Sequence, residues 1–291
     1  MPFTTLISTA ELAANATVAD WVVVDCRFDL ADVERGRREY LAGHIPQAAY
    51  AHLDHDLSGH KTGTNGRHPL PRPEALSRTL SRLGIGAGSQ VVAYDEATGM
   101  YASRLWWLLR WMGHDAVAVL DGGFAKWIEE GRSTTPDDEH HAPGRFTGSP
   151  HANATVGGEA VELLLGRIDW RLIDARAGER DRGEIEPIDR VAGHIPGAID
   201  RFYRENLTDA GVFRSRDELR RSFQIVTGGV SPEHVVCYCG SGVTACHNLL
   251  ALAHAGLHGA KLYPGSWSEW SSNPAHPVER GPFRDAERHS T

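Results

Sequence analysis

Short apolar runs alternate along the chain with segments in which apolar residues recur every three or four positions. The apolar runs predict buried strands, at 22–25, 91–95, 172–174 and 235–238. The periodic segments predict helices, among them 74–83, 158–165, 217–223 and the stretch after residue 243. Because strands alternate with helices, the pattern predicts an α/β fold in which parallel sheets are covered by helices on both faces.

The sequence contains the same structural unit twice. Ala-Gly-His-Ile-Pro occurs at 42–46 and again at 192–196, and Asp-x-Arg closes a predicted strand at 25–27 and at 174–176. Two further segments match in the same order, 91–95 with 235–239 and 120–127 with 263–270. Four ordered matches indicate a tandem duplication.

A segment rich in Pro, Gly, His and Asp separates the two copies and has no apolar period, which is typical of a linker. We therefore predict a first domain at 1–132, a linker at 133–153 and a second domain at 154–291.

One apolar run ends on a cysteine. The predicted strand 235–238 leads into Cys239, Gly240 and Gly242, and a helical segment follows. Ligands of parallel α/β sheets bind beyond the carboxyl ends of the strands, where backbone N–H groups and a helix N-terminus favour a thiolate. We predict a reactive sulfur at Cys239 and an inert, buried thiol at Cys237.

The first copy provides an internal comparison, because Asp95 occupies the position that Cys239 has in the second copy. The first copy therefore lacks the nucleophile. We expect it to be non-catalytic and to supply one wall of a cleft between the domains, which is a common place for a binding site.

Composition and charge narrow the class of protein. The net charge of −8 argues against broad binding to nucleic acid or to anionic membranes. No apolar run reaches the roughly 18 residues that a membrane span needs, and the N-terminus has no secretory pattern. Four unevenly spaced cysteines do not form a disulfide framework, so we predict a cytoplasmic protein.

These motifs together resemble the two-domain rhodanese-type sulfurtransferases, over nearly the whole chain. The segment Cys-Gly-Ser-Gly-Val-Thr-Ala at 239–245 is similar to the loop of 3-mercaptopyruvate sulfurtransferases, whereas thiosulfate-using members carry cations at the positions of Gly240 and Ser241. The resemblance implies two rhodanese-like domains, no cofactor and no metal. It implies transfer of a sulfane sulfur from a small donor through a persulfide on Cys239, with 3-mercaptopyruvate favoured and thiosulfate as the alternative.

The resemblance also implies which residues hold the sulfur and the donor. Loop amides would stabilise a thiolate or persulfide anion, and these belong to Gly240, Gly242, Val243 and Thr244. Arg180 matches a family arginine that binds the donor carboxylate, although a solvated loop arginine is the alternative. For a second arginine, either Arg190 substitutes or the second contact is missing.

A Ser-His-Asp relay across the cleft is a further implication of the family. Ser241 matches the loop serine, His68 matches the histidine before a Leu-Pro pair, and Asp54 matches an acid after the first Gly-His-Ile-Pro turn. Such a relay would orient Ser241 to polarise the donor ketone or to move a proton. His44 and His194 occur in both copies, so a structural role is favoured for them.

The residues also bear on three rival functions. A cysteine phosphatase needs an arginine six residues after its cysteine, and Ala245 stands there. A zinc site is disfavoured because Cys237 and Cys239 lack the usual ligand spacing. A persulfide carrier without turnover stays open. The expected partners are a small-molecule donor and, as acceptor, a thioredoxin-like protein, a low-molecular-weight thiol or cyanide, with no nucleic acid and no membrane.

Overall fold

The computed structural model describes residues 1–136, 138–139 and 141–282. Asp137 and His140, in the predicted linker, and residues 283–291, at the end of the predicted second domain, lie outside the described part. The chain forms two compact units. The first contains Met1–His60, Leu70–Ala152 and Leu207–Ser215, and the second contains Lys61–Pro69, Asn153–Asn206 and the chain from Arg216 onward. We retain 1–132, 133–153 and 154–291 as proposed boundaries.

The first unit is built on a five-stranded parallel sheet with the strand order β1-β5-β4-β2-β3. The strands are β1 (Leu6–Ile7), β2 (Trp21–Asp25), β3 (Ala48–Tyr50), β4 (Gln90–Tyr94) and β5 (Val117–Leu120). The helices are α1 (Thr9–Asn15), α2 (Arg35–Ala42), α3 (Pro73–Arg82), α4 (Ala102–Trp111) and α5 (Gly123–Glu129).

Local sequence explains where these helices begin and which face they bury. Ser8 caps α1 by accepting a hydrogen bond from the Glu11 N–H, and the Glu11 carboxylate accepts one from the Ser8 N–H, which is a capping box. In α3, Pro73 occupies the first turn and Leu76 and Leu80 share the buried face.

The second unit is built on a four-stranded parallel sheet with the order β7-β6-β8-β9. The strands are β6 (Arg171–Asp174), β7 (Ile199–Asp200), β8 (Val235–Tyr238) and β9 (Lys261–Leu262). The helices are α6 (Gly158–Leu164), α7 (Gly178–Asp181), α8 (Arg216–Thr227), α9 (Thr244–His254) and α10 (Ser266–Trp270). The predicted fold class, two parallel α/β sheets flanked by helices, is confirmed.

The strand order of the second unit determines where a ligand can bind. The chain leaves β6 toward β7 on one side and leaves β8 toward β9 on the other. A crevice therefore opens between the carboxyl ends of the central strands β6 and β8, which is where open α/β sheets bind ligands. The segment that follows β6 carries Arg180, and the segment that follows β8 carries Cys239.

A buried ion pair is repeated in both units. Arg27 donates to Asp25 with Nη2 2.6 Å from Oδ2, and Arg176 and Asp174 repeat this contact at 2.6 Å. Each arginine also donates to the carbonyl of the glycine in its Gly-His-Ile-Pro turn, Gly43 or Gly193. The matched motifs therefore fasten the end of a central strand to the turn beside it.

The histidines of these turns are fully buried, and their rings bond to the backbone. His44 Nδ1 lies 2.8 Å from the Tyr40 carbonyl oxygen, and His194 Nδ1 lies 2.8 Å from the Asp181 carbonyl oxygen. These contacts fit the structural role expected for both residues. In the described part of the chain, no helix is long and apolar enough to cross a membrane.

Candidate active site

Cys239 lies directly after β8, at the crevice between β6 and β8, and is 2% exposed. Its Sγ accepts a hydrogen bond from the Gly242 N–H at 3.2 Å. Gly242 has φ +75°, and a Cβ there would lie 2.5 Å from the Pro264 carbonyl oxygen. Only glycine fits this close turn, and the turn is what points an amide at the sulfur.

The loop after β8 contains further backbone N–H groups besides the one that donates to Cys239 Sγ. Within the described residues, the N–H groups of Gly240, Ser241, Val243 and Thr244 have no hydrogen-bond acceptor. These groups lie between the end of β8 and the first turn of α9, where buried donors need a partner. The loop can therefore accommodate an anion larger than a single sulfur.

In the first unit, the corresponding loop amides donate hydrogen bonds to a side chain of the same loop. Asp95, which follows β4, is 2% exposed, and its carboxylate accepts hydrogen bonds from the N–H groups of Gly99, Tyr101 and Ala102 at 2.7–3.2 Å. A carboxylate that belongs to the chain thus occupies the amide cradle of the first loop. The matching cradle of the second loop surrounds a cysteine.

Both loops are held from the same side by the start of a short helix. In the first unit the N–H of Phe124 donates to the Asp95 carbonyl, and in the second the N–H of Trp267 donates to the Cys239 carbonyl, each at 2.9 Å. This contact explains why segments 120–127 and 263–270 match in sequence. Their role is to clamp the loop backbone.

Ser266 is a functional candidate that the sequence did not reveal. Its Oγ accepts a hydrogen bond from the Cys239 N–H at 3.2 Å and donates one to the Tyr263 carbonyl at 2.8 Å. Ser266 has φ +55°, a conformation that a serine rarely adopts, whereas Gly123 has φ +60° at the matching position of the first unit. Of these two matched positions, the one beside the cysteine carries the strained residue. The sequence did contain one sign of this role, because the second copy has a serine at position 266 where the first copy has a glycine at position 123.

Arg180 lies in α7, the short helix that follows β6, and faces the loop. A Cβ built on Gly240 would lie 3.8 Å from both Arg180 Nη atoms. Arg180 Nη2 donates to Glu186 at 2.6 Å and to Asp189 at 3.4 Å. Burial, the largest single effect, raises the pKa of Glu186, but the hydrogen bond and charge of Arg180 and the N–H groups of Asp189 and Ile188 together keep the pKa below its ordinary value. The guanidinium is therefore held in place by the carboxylates of Glu186 and Asp189.

Arg67 is a second guanidinium at the same place, and the sequence did not predict it as a site residue. It belongs to Lys61–Pro69, which packs as part of the second unit. Its Nη1 donates to Asp189 Oδ1 at 2.7 Å, and its Nη2 would lie 3.0 Å from a Cβ on Gly240. Arg67 directly precedes His68, which the family resemblance marks, but none of the motifs used in the sequence analysis includes the arginine itself.

The structure brings two of the three predicted relay residues into contact. His68 Nδ1 and Ser241 Oγ lie 2.7 Å apart, with both side chains buried. Asp54 belongs to the first unit and follows β3, where its N–H donates to His52 Nδ1. Arg190 is exposed, and its side chain makes no hydrogen bond or ion pair to any described residue.

The other cysteines have environments unlike that of Cys239. Cys237 is fully buried within β8, and burial raises the pKa of its thiol far above the ordinary value. Cys246 is fully buried in α9 and donates to the Gly242 carbonyl at 3.3 Å. Cys237 is therefore expected to stay protonated and inert.

A group of acids lies behind Arg180. Asp181 is 1% exposed, and neither of its carboxylate oxygens has a hydrogen-bond partner in the described part of the chain. Burial, with repulsion from Asp174 and Asp200, raises the pKa of Asp181 to about 8. Burial, again with repulsion from Asp174, raises the pKa of Asp200 to about 6. The helix that carries Arg180 thus contains a carboxyl group that favours its neutral form.

Comparison with known proteins agrees with this geometry. The family model described as Rhodanese-like domain matches the chain twice, at residues 8–130 and 158–273. The chain therefore belongs to the rhodanese-like family. It is 45% identical over 278 residues to a Pseudomonas aeruginosa protein named "Probable 3-mercaptopyruvate sulfurtransferase", a match that covers 95% of this chain and 98% of the relative.

Two further similar proteins are also named as enzymes that transfer sulfur. A Mycobacterium tuberculosis protein, SseB, provisionally named a thiosulfate sulfurtransferase, is 40% identical over 283 residues, 95% of this chain and 97% of the relative. The crystal structure of SseA from Escherichia coli, a 3-mercaptopyruvate enzyme, superimposes with a TM-score of 0.80 at 32% identity over 91% of this chain and 99% of that one. The chain is a sulfurtransferase, an enzyme that passes sulfur from a small-molecule donor to an acceptor.

Proposed function

We propose that the protein transfers sulfur from 3-mercaptopyruvate through a persulfide on Cys239. The Cys239 thiolate attacks the donor sulfur, so that an S–S bond forms as the carbon–sulfur bond breaks. The electron pair of the broken bond remains on the donor as the enolate of pyruvate, which takes up a proton to give pyruvate. An acceptor thiolate or cyanide then removes the outer sulfur and regenerates the Cys239 thiolate.

The observation that carries this proposal is the amide cradle around Cys239. The Gly242 N–H donates to Sγ, and the unused amides of Gly240, Ser241, Val243 and Thr244 surround the same loop. Amides that converge on a carboxylate at Asp95 in the first unit support the same use for a persulfide anion in the second. Preorganised donors of this kind stabilise charge as it develops.

Charge near the loop favours a donor with one negative charge. Arg67 and Arg180 contact Glu186 and Asp189, so two cations are already balanced by two carboxylates. A guanidinium can still bind a carboxylate through its free N–H groups, but a dianion such as thiosulfate brings a second charge with no matching cation. This argument supports 3-mercaptopyruvate, as does the Pseudomonas relative.

Ser241 and His68 fit the remaining step. A hydroxyl held by the imidazole can donate a hydrogen bond to the donor ketone, whose oxygen becomes the enolate oxygen as the carbon–sulfur bond breaks. We propose this role for Ser241, with His68 as the group that orients it and Asp54 as the acidic member of the relay. Arg190 stays a proposed second contact for the donor.

Thiosulfate is the second candidate donor, because the Mycobacterium tuberculosis relative carries that name. As acceptor we propose a thioredoxin-like protein, a low-molecular-weight thiol or cyanide, and as compartment the cytoplasm. A carrier that holds the persulfide without turnover is the non-enzymatic alternative to these donors.

The test is a comparison of donors. Purified protein is given 3-mercaptopyruvate or thiosulfate with dithiothreitol or cyanide, and pyruvate, sulfide and thiocyanate are measured. We expect kcat/KM for 3-mercaptopyruvate to exceed that for thiosulfate by at least about tenfold, roughly 1.4 kcal/mol in transition-state binding. A higher value for thiosulfate would reverse the donor assignment.

Two variants test the nucleophile in the same assay. Cys239→Ser should abolish transfer and the mass increase of one sulfur on the protein. Cys237→Ala, which removes the inert thiol of β8, should retain most of the activity. Equal losses in the two variants would contradict the assignment, and a persulfide on Cys239 without turnover of either donor would indicate a carrier.

A further inference from the structure

Asn65-Gly66 is the one Asn-Gly dipeptide of the chain, and it directly precedes Arg67 and His68. In an Asn-Gly pair the backbone nitrogen of the glycine can attack the side-chain amide of the asparagine, because glycine has no Cβ to block the approach. The other asparagines are followed by alanine, leucine or proline, and they stand at positions 15, 153, 206, 248 and 273. The chain therefore has a single position at which this reaction is unhindered.

The surroundings of the two reacting groups favour this attack. Asn65 Oδ1 accepts a hydrogen bond from the Thr62 N–H at 2.8 Å, and this donor would stabilise the negative charge that develops on Oδ1 as its carbon is attacked. The Gly66 N–H donates to no acceptor among the residues that the structure describes, so no hydrogen bond has to break before this nitrogen reacts. Asn65 and Gly66 are partly exposed and residues 61–64 are exposed, so water reaches the site.

Segment 61–69 can adapt to a cyclic product. It contains neither helix nor strand, so the hydrogen-bond ladder of a regular element does not have to open when the backbone at residue 65 twists. On the other side of the turn, Gly63 has φ +92°, and no atom lies within 4 Å of a Cβ placed there. The chain before Asn65 therefore has open space beside it.

The backbone directly after Asn65 is, by contrast, closely packed. A Cβ on Gly66 would lie 2.8 Å from the Gly265 carbonyl oxygen, and the Arg67 N–H donates to Ser268 Oγ at 2.9 Å. An isoaspartate at position 65 lengthens the main chain by one atom, because the chain then runs through the former side-chain carbonyl. The added atom does not fit beside these contacts, so it would displace Gly66 and Arg67.

The displacement would reach two side chains beside Cys239. His68 Nδ1 lies 2.7 Å from Ser241 Oγ, and Arg67 Nη1 donates to Asp189 at 2.7 Å. Hydrogen bonds are lost once the two heavy atoms separate well beyond this distance. A shift of the backbone that carries His68 therefore removes the contact that orients Ser241.

We propose that Asn65-Gly66 is a site of spontaneous deamidation, and that the isoaspartate formed there inactivates the enzyme. The Gly66 nitrogen loses its proton and forms a bond to the side-chain carbonyl carbon of Asn65, and the bond from that carbon to the amide nitrogen breaks as ammonia leaves. Water then adds to one of the two carbonyls of the cyclic imide and opens it to aspartate or isoaspartate. The modification is independent of the proposed function, whereas the loss of activity rests on it.

The experiment ages the purified full-length protein at neutral and at mildly alkaline pH. Peptide mass spectrometry measures the conversion of amide to acid at each asparagine and separates isoaspartate from aspartate, and turnover of 3-mercaptopyruvate is measured on the same samples. We expect isoaspartate to accumulate at position 65, faster at the higher pH, and activity to fall in proportion to it. Asn153 is the internal control, because it is exposed but is followed by alanine, and it should keep its amide.

Asn65→Gln should start with wild-type activity and keep it on ageing, because its longer side chain closes the ring far more slowly, and Asn65→Ser decides if this variant does not fold. Asn65→Asp has the ordinary main-chain length and should retain most of the activity. An amide at Asn65 as durable as that of Asn153, isoaspartate without loss of activity, or equal ageing of Asn65→Gln and wild type would each overturn the inference. Failure of fresh wild type to use 3-mercaptopyruvate would instead overturn the proposed function, since the mass measurement needs no substrate.

Discussion

At the scale of single residues, Cys239 differs from Cys237 in what surrounds the sulfur. Both are buried, but among the residues that the structure describes Cys239 Sγ accepts a hydrogen bond from a backbone group, the Gly242 N–H, whereas Cys237 Sγ accepts none. Ser266 adds a hydrogen bond to the Cys239 backbone at the cost of a strained φ angle. Reactivity here depends on placed donors rather than on exposure of the thiol.

Arg180→Ala is the residue-scale prediction for donor binding. It should raise KM for 3-mercaptopyruvate by roughly 10²-fold, since a charge-assisted contact of about 3 kcal/mol is lost, with a smaller change in kcat. Steady-state kinetics measures both parameters. Arg182→Ala is the control two residues later, because Arg182 pairs with the exposed Glu184. A KM that stays at the wild-type value would place the carboxylate elsewhere.

At the scale of elements, the loop between β8 and α9 depends on a glycine that no other residue can replace. Gly242→Ala would place a Cβ 2.5 Å from the Pro264 carbonyl oxygen at φ +75°. We expect at least about 2 kcal/mol of lost stability and a fall in kcat of more than tenfold, because the amide on Sγ would move.

Gly229→Ala is the control for this strain, since Gly229 has the same φ of +75° and no atom within 4 Å of a Cβ. It should cost about 1 kcal/mol and leave kcat unchanged. Urea unfolding and turnover should be measured on both variants. Similar kinetics in the two would show that the loop tolerates the displacement.

Helix α7 gives a prediction of pH dependence. The folded protein raises the pKa of Asp181 to about 8 from its ordinary value of 3.8, so its neutral form is favoured and the associated stability is lost as pH rises toward 8. Asp181→Asn should therefore gain stability relative to wild type between pH 5 and pH 8, by about 1–3 kcal/mol.

Unfolding in urea at the two pH values tests this expectation. Asp169→Asn is the control, because the pairing of Asp169 with Arg167 lowers its pKa and its charge is already complete at pH 5. The stability difference between Asp169→Asn and wild type should therefore stay constant over this range. A constant difference for Asp181→Asn as well would rule out a neutral Asp181.

At the scale of the whole molecule, the two loops show one scaffold used for two purposes. Asp95→Ala should destabilise the first unit by about 3 kcal/mol or more, because the amides of Gly99, Tyr101 and Ala102 would be left buried and unpaired. Cys239→Ala should cost less stability, since its Sγ receives one amide. Calorimetry on both variants measures the difference, and a larger loss in Cys239→Ala would contradict it.

The sequence predicted the duplication, the parallel sheets and the position of Cys239, because periodicity and repeated motifs are local signals. It also predicted Arg180 and the His68–Ser241 pair, through resemblance to a family. Arg67 and Ser266 were missed for physical reasons. Arg67 reaches Gly240 only through tertiary packing, and the positive φ of Ser266 is set by its surroundings.

The packing of Lys61–Pro69 with the second unit has an evolutionary consequence. The half of the gene that encodes no nucleophile supplies His68, which contacts Ser241, and Arg67, which shares Asp189 with Arg180. A shortened protein that lacked the first half of the chain would therefore lose these side chains together with the first unit. We therefore expect natural selection on sulfur transfer to constrain codons in both halves, including the half in which Asp95 stands at the position of Cys239.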